Sequence, residues 1–223
     1  MPENNTKDIS AREIEYTFIS LISHKTNVLI VGGGKAGYIK AKAFANRGCN
    51  VTIVSKDFIE EVKSIDKVVF IKGEYDVNYI LDKHLVVIAT DNIKLNEKIK
   101  GDCERHCKLY LYASNFKEGI FVTPVQRSTE QIEFAINTKG GSPKTSLFLS
   151  DIIKREMIKY DDFVRYTCLL RESIKDKKYK NEIMNFVNSK DFYFSYSAGK
   201  GETVLKMFYG DDMFEVENSY EKE

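Results

Sequence analysis

The chain has 223 residues, 34 basic against 33 acidic, with 43% hydrophobic residues, 13 glycines and no tryptophan. That length buries a proper core and allows one or two domains at roughly 150 residues each. The balanced charge gives no argument for nucleic acid, no run approaches the ~18 apolar residues of a membrane span, and the opening MPENNTKDISAREIEY lacks the apolar core of a signal peptide.

Residues 1–15 are polar and expected to fray, and the apolar segment Tyr16 to Ile22 is expected to lie along a sheet edge. The organising stretch follows: Val28-Leu29-Ile30-Val31, a continuous apolar run suited to a strand buried on both faces, leads into Gly32, Gly34 and Gly37 in G-x-G-x-x-G spacing. A helix comes next, with Ala36, Ile39, Ala43 and Phe44 on its apolar face, Lys35, Lys40 and Lys42 largely elsewhere, and Gly48 as its stop. A second strand, Val51 to Val54, arrives at once. This is the opening of a dinucleotide fold, in which the first glycine makes the tight turn, the second admits a pyrophosphate and the third lets helix and strand pack closely. The loop Gly32, Gly34, Lys35, Ala36 and Gly37 is therefore the expected cofactor cradle, its free N–H groups aided by the helix dipole.

The carboxylate that usually reads the ribose about 20 residues downstream is missing from the end of the second strand, where Ser55 and Lys56 stand with Asp57 one step further. Ser55 could bond the ribose and Lys56 could accept a 2′-phosphate, so these residues leave NAD and NADP both open.

Val68 to Ile71 reads as a third strand, Tyr75 to Leu81 as a short helix and Leu85 to Ala89 as a fourth strand running into Thr90-Asp91-Asn92. Strand and helix in alternation predict parallel pairing with right-handed crossovers, and ligands of such sheets bind beyond the carboxyl ends of the strands. Thr90 and Asp91 are thereby expected beside the glycine loop. Ile93 to Cys107 is helical, and Leu109 to Ala113 is a fifth strand leading into Ser114-Asn115. Cys103, His106 and Cys107 share one helical face, where a metal could be held, but a fourth ligand is not evident and no metal site is assigned. The favoured reading is two small buried cysteines facing the sheet and a histidine near the helix end. Cys49, Cys103, Cys107 and Cys168 are too few and too scattered for a disulfide scaffold, so reduced thiols in a cytoplasmic protein are expected.

The pattern then changes. Gly119 to Pro124 and Gln131 to Ile136 read as strands paired antiparallel, the second with period-two alternation that implies one buried face. Thr138-Lys139-Gly140-Gly141-Ser142-Pro143 is a loop opening a helix near Lys144, its hydroxyls able to cap that helix or bind an anion. Helices are expected over Leu147 to Lys159 and Asp161 to Ile174, with shorter ones around Ile183 to Val187 and Val204 to Tyr209. The basic run Lys175 to Lys180 reads as a solvated connection, and residues 213–223 are expected to be disordered. Twelve basic against seven acidic residues from Lys139 to Lys190 would suit a polyanionic small substrate.

The order of parts is more specific than any one motif. A GGG-containing dinucleotide unit, ATD after the fourth strand, F-x-T-P, and a GGSP turn opening a helical tail together resemble the precorrin-2 dehydrogenase family, free-standing or fused as the N-terminal module of siroheme synthase. The resemblance implies an α/β chain in three parts: an NAD-binding Rossmann-type domain with a parallel sheet over residues 1–115, antiparallel dimerisation strands and the GGSP turn over 116–145, and a helical domain bordering the tetrapyrrole cleft over 146–223. It implies NAD-dependent oxidation of precorrin-2 by a homodimer. Gly32, Gly34, Gly37, Thr90 and Asp91 match its cofactor positions, and Thr138 to Pro143 match the turn lining the cleft, giving Thr138 and Ser142 as substrate contacts; for the carboxylates of such a substrate the charge map offers Lys144 with Arg127, Lys154 or Arg155, whose spacing does not follow the family. Ser114, Asn115 and Thr138 fall at the reacting centre. Ser114 stands where the bifunctional members carry an aspartate used in both chemical steps. Metal insertion needs an acceptor for two pyrrole protons and a serine hydroxyl is a poor one, so dehydrogenation is expected and chelation stays open. Two other readings fit the same glycine loop and strands: a regulator that senses a bound dinucleotide, and a tetrapyrrole carrier without catalysis.

Overall fold

Apolar runs at Asn27–Val31 (β1), Asn50–Ser55 (β2), Val68–Lys72 (β3), Leu85–Ile88 (β4) and Leu109–Tyr112 (β5) form one parallel sheet in the order β3-β2-β1-β4-β5. The structure, a computed structural model, describes residues 15–210, so the expectations made for the two ends of the chain lie outside the described residues. Two units divide it, Tyr16–Thr123 and the residues from Pro124 onward.

In the first unit the central strands bury both faces, which is why they read as unbroken apolar runs. Leu29, Val31, Val86 and Ile88 meet Ile99 and Cys103 of α3 (Ile93–Arg105) on one face. Val28, Ile30, Ile53 and Val87 meet Ala41 of α1 (Lys35–Ala45) and Val62 of α2 (Glu60–Lys63) on the other. The buried face of α1 is one residue off the expected one: Gly37 and Ala41 are buried whereas Ile39 is 55% exposed. The helix lies close to the sheet, so its fully buried positions are its smallest residues, while Tyr38 and the expected Phe44 pack against the same core partly buried.

Other local expectations also shift. The segment 75–81 is a short 3-10 turn over Val77–Ile80. Tyr16 to Ile22 takes no regular structure, and its Ser20, Leu21 and Ile22 border a cavity of about 500 Å³ with Lys83–Leu85 and Cys107–Leu109, at the amino ends of β4 and β5. Gly119 to Pro124 is not a strand. Ile120 N–H donates to the Tyr110 carbonyl at 2.9 Å, holding the segment back against β5, and Pro124 has no N–H to offer a ladder.

The second unit opens with an antiparallel hairpin, β6 (Val125–Ser128) and β7 (Glu133–Ile136), with Arg127 opposite Phe134. Helix α4 (Pro143–Met157) packs on it. Asp161, buried at the start of α5 (Asp161–Ser173), fixes the hairpin turn by accepting from the Thr129 hydroxyl at 2.5 Å and from the Glu130 and Gln131 amides. Three helices follow: α6 (Lys177–Val187), α7 (Lys190–Ser197) and α8 (Gly201–Tyr209). Their shared core is Leu170, Ile174, Ile183, Val187, Phe192 and Leu205. The basic run is partly the first turn of α6, capped by Asp176, whose carboxylate accepts from the Lys178 amide at 2.8 Å. Helix α7 was not expected; it is aromatic-rich and short, held by its Ser189 cap and by edge contacts such as Phe163 to Tyr193 at 4.9 Å.

Candidate functional site

All the loops at the carboxyl edge of a parallel sheet open on the same side, and here they carry Gly32–Gly37 after β1, Ser55 at the end of β2, Thr90 and Asp91 after β4, and Ser114 and Asn115 after β5. The structure thus brings eight of the expected cofactor positions and two of the expected reacting positions to one sheet edge. Within the glycine loop the three motif positions do different work. Gly32 has φ 126°, and a Cβ there would collide with the Ala89 carbonyl; a Cβ on Gly37 would collide with the Gly32 carbonyl. Gly34, at the N-cap of α1, has nothing within 4 Å of where a Cβ would sit and no side chain capping its helix. Open space therefore lies beside the first-turn amides of α1, next to exposed Lys35 and Ala36, as a diphosphate requires.

The turn after β4 is held by a residue that spacing did not reveal. Asn96 is 3% exposed. Its amide donates to the Thr90 carbonyl at 3.0 Å, and its carbonyl oxygen accepts from the Thr90 hydroxyl at 2.5 Å. Asn92 caps the same helix by accepting from the Leu95 amide. The signal in the sequence was a single Asn six residues past Thr90, too sparse to notice. Asn96→Ala is expected to lower stability by about 1–3 kcal/mol, since it strips two bonds from a buried turn. Chemical denaturation reads that cost, and NAD titration of the folded variant reads weakened binding.

Beside the glycine loop is a charged corner. A Cβ on Gly33 would lie 3.0 Å from the Ser55 Cβ, and Gly33 accepts at its carbonyl from the Ile59 amide at 3.1 Å. Gly73 donates to the Ser55 carbonyl at 2.9 Å, which ties the loop after β3 to the end of β2. Two ion pairs link the two loops, Lys56 to Glu74 at 2.8 Å and Lys72 to Asp57 at 3.8 Å.

Ser114 and Asn115 are both exposed, and the Asn115 side chain accepts from the Lys117 amide at 3.4 Å, capping a short turn over Phe116–Glu118. Lys40, expected on the solvent side of α1, is half-buried; its ammonium donates to the Thr123 hydroxyl at 2.5 Å, and burial lowers its pKa. Cys103 is buried and burial, with Asp102 and Glu104 nearby, pushes its thiol up to about 12, whereas Cys107 is exposed with φ 51°. Only one of the two cysteines expected to face the sheet does so, because the helix ends at Arg105.

Thr138, Ser142 and Lys144 belong to the second unit. Thr138 organises its turn by accepting from the Ser142 amide at 2.7 Å. Ser142 occupies the N-cap of α4, but its hydroxyl meets that of Thr145 at 2.8 Å and no side chain caps the helix. Lys144 is exposed in the first turn.

Residues 19–125 match a family model described as "Putative NAD(P)-binding". The siroheme synthase of Buchnera aphidicola subsp. Acyrthosiphon pisum is 30% identical over 129 residues, covering 56% of this chain and 27% of that protein, so the chain spans well under half the length of that relative. The precorrin-2 dehydrogenase of Priestia megaterium is 29% identical over 155 residues, 66% of this chain and 72% of that one. Among solved structures, "SirC, precorrin-2 dehydrogenase" superposes with a TM-score of 0.62 at 22% identity, covering 86% of this chain and 98% of that one, which shows a shared fold.

Proposed function

We propose that this chain is a member of the family of precorrin-2 dehydrogenases and siroheme synthase N-terminal modules and oxidises precorrin-2 to sirohydrochlorin with NAD as hydride acceptor. The observation that carries the reading is the open space beside Gly34, at a helix N-terminus and on the same sheet edge as Thr90 and Ser114. When bound, the nicotinamide takes up a hydride; the substrate also gives up a proton and gains ring conjugation. The chain's own part is alignment. The amides at the start of α1 grip the diphosphate, Thr90 fixed by Asn96 shapes the wall nearest the dinucleotide, and Ser114 and Asn115 offer hydroxyl and amide groups to the macrocycle. Positioning of this kind can supply ~7–11 kcal/mol of a barrier, and it needs no carboxylate at the reacting centre.

In this reading Thr138, Ser142 and Lys144 contact the acidic substrate, whose carboxylates suit hydroxyl donors and a lysine. The protein works as a cytoplasmic homodimer, with residues 116–145 as its dimerisation segment. Support for the dimer comes from α4, whose Leu147, Phe148, Ile152 and Ile153 are exposed while Ser146 and Ser150 are buried. No described helix is long and apolar enough to cross a membrane.

The test is a coupled assay. With precorrin-2 and NAD, absorbance of reduced nicotinamide should rise as sirohydrochlorin appears, and adding Fe²⁺ should give no enzyme-dependent loss of that product, because Ser114 cannot accept the pyrrole protons. Absence of turnover with authentic substrate would end the dehydrogenase reading. Iron insertion abolished by Ser114→Ala would show that the hydroxyl does the work of a base after all.

A further inference from the structure

The ribose end of this site lacks the carboxylate that a Rossmann β2 ordinarily supplies, since β2 ends on Ser55 and Lys56 follows it. The parallel register puts Ser55 opposite Lys72, at the end of β3, and the Gly73 amide is bonded to the Ser55 carbonyl. The next residue is Glu74, whose carboxylate reaches back to Lys56 at 2.8 Å. This corner abuts the glycine loop: a Cβ on Gly33 would run into the Asp57 carbonyl and the Ser55 side chain. An adenosine ribose extending from a diphosphate held at Gly34 lies beside that corner in this fold class.

We infer that Glu74, delivered by the loop after β3, is the group that reads the ribose diol, and that its pairing with Lys56 makes the site select NAD over NADP. The inference rests on the dinucleotide reading of the glycine loop and deepens it. The corner contains two cations and two carboxylates, and each cation already has its anion: Lys56 with Glu74, Lys72 with Asp57. A 2′-phosphate arriving there would add about −1.5 to −2 charges opposite two carboxylates, with the one lysine suited to it already engaged. A 2′-hydroxyl brings no charge and has a proton to donate, which a carboxylate accepts. The hydrogen bond between the pair lowers the Glu74 pKa and raises that of Lys56, so both stay ionised at neutral pH. Lys56 engages one carboxylate oxygen of Glu74, Oε1, and the side chains are 71% and 80% exposed, so the second oxygen can accept from a ribose hydroxyl while the first keeps Lys56.

Equilibrium titration of the full chain with NAD and NADP, read by calorimetry, tests this without any turnover. The native protein should bind NAD more tightly than NADP by roughly tenfold or more. Glu74→Gln, of equal size and with its folding checked by thermal melting, should weaken NAD by about tenfold and strengthen NADP through the released Lys56. Lys56→Ala in the Glu74→Gln background should remove that gain for NADP. A ratio of affinities unchanged by Glu74→Gln overturns the inference, as does a ratio that follows Asp57→Asn instead. If the native protein binds neither dinucleotide, the reading of the glycine loop fails along with it, a result distinct from binding both with indifferent Glu74.

Discussion

Gly34→Asp is expected to melt at or slightly above the temperature of the native protein while losing NAD affinity by about 100-fold or more, equivalent to ~3 kcal/mol. The two effects separate because packing does not require glycine here: its φ of −87° is open to any residue, and a Cβ would touch nothing within 4 Å. Aspartate at an N-cap can accept from the first-turn amides, and its charge suits the positive end of the helix, for a gain of a few tenths of a kcal/mol over glycine. The same carboxylate then fills the place a diphosphate needs and repels it. Gly37→Ala should do the reverse. Its methyl would collide with the Gly32 carbonyl, which is backbone held by a bond from the Gly32 amide to Val54, so helix and sheet must separate. A cost of about 3 kcal/mol is expected from such overpacking, read as a lowered denaturation midpoint before any ligand is added. If Gly34→Asp melts as early as Gly37→Ala, or binds NAD as the native chain does, the cradle is not where the diphosphate goes.

That contrast also shows what could be read from the residues alone. The five strands were visible because burial on both faces leaves an unbroken apolar signature, and the glycine loop because its spacing encodes a turn and two close approaches. The face of α1 was misread for a related reason. Periodicity weights large apolar side chains, which pointed to Ile39, but where a helix lies tight on a sheet the buried face is Gly37 and Ala41. The same blind spot hid the inner face of α4, made of Ser146 and Ser150. Asn96 and Glu74 escaped because their placement depends on register: one is brought under the Thr90 turn by the helix that turn begins, the other to Lys56 by the pairing of β2 with β3. Neither sits at a spacing that any motif records. The hairpin was displaced by six residues at its start because Gly119 to Pro124 has strand composition, yet its amides are spent on Tyr110 and its proline cannot join a ladder.

Replacing Phe148 and Ile152 together by aspartate is expected to leave the chain folded and turn the proposed homodimer into a monomer. In an ordinary amphipathic helix the apolar stripe faces the core. Helix α4 inverts this: its buried positions are serines, while Phe148 is 63% exposed and Leu147, Leu149, Ile152 and Ile153 all have more than a third of their surface open. A contiguous apolar face of this kind is a partner surface or an aggregation hazard, and a two-fold copy of the same helix is self-complementary to it. Because the two side chains are exposed within the chain, their loss removes little of its own packing. Across a dimer each occurs twice, and at ~1.5–3 kcal/mol for each apolar side chain buried, dissociation should strengthen by several orders of magnitude even before the new charges repel one another. Light scattering after size exclusion gives the mass directly, and circular dichroism with thermal melting confirms the fold. A native protein that is already monomeric at micromolar concentration, or a double variant that stays dimeric, would remove α4 from the interface.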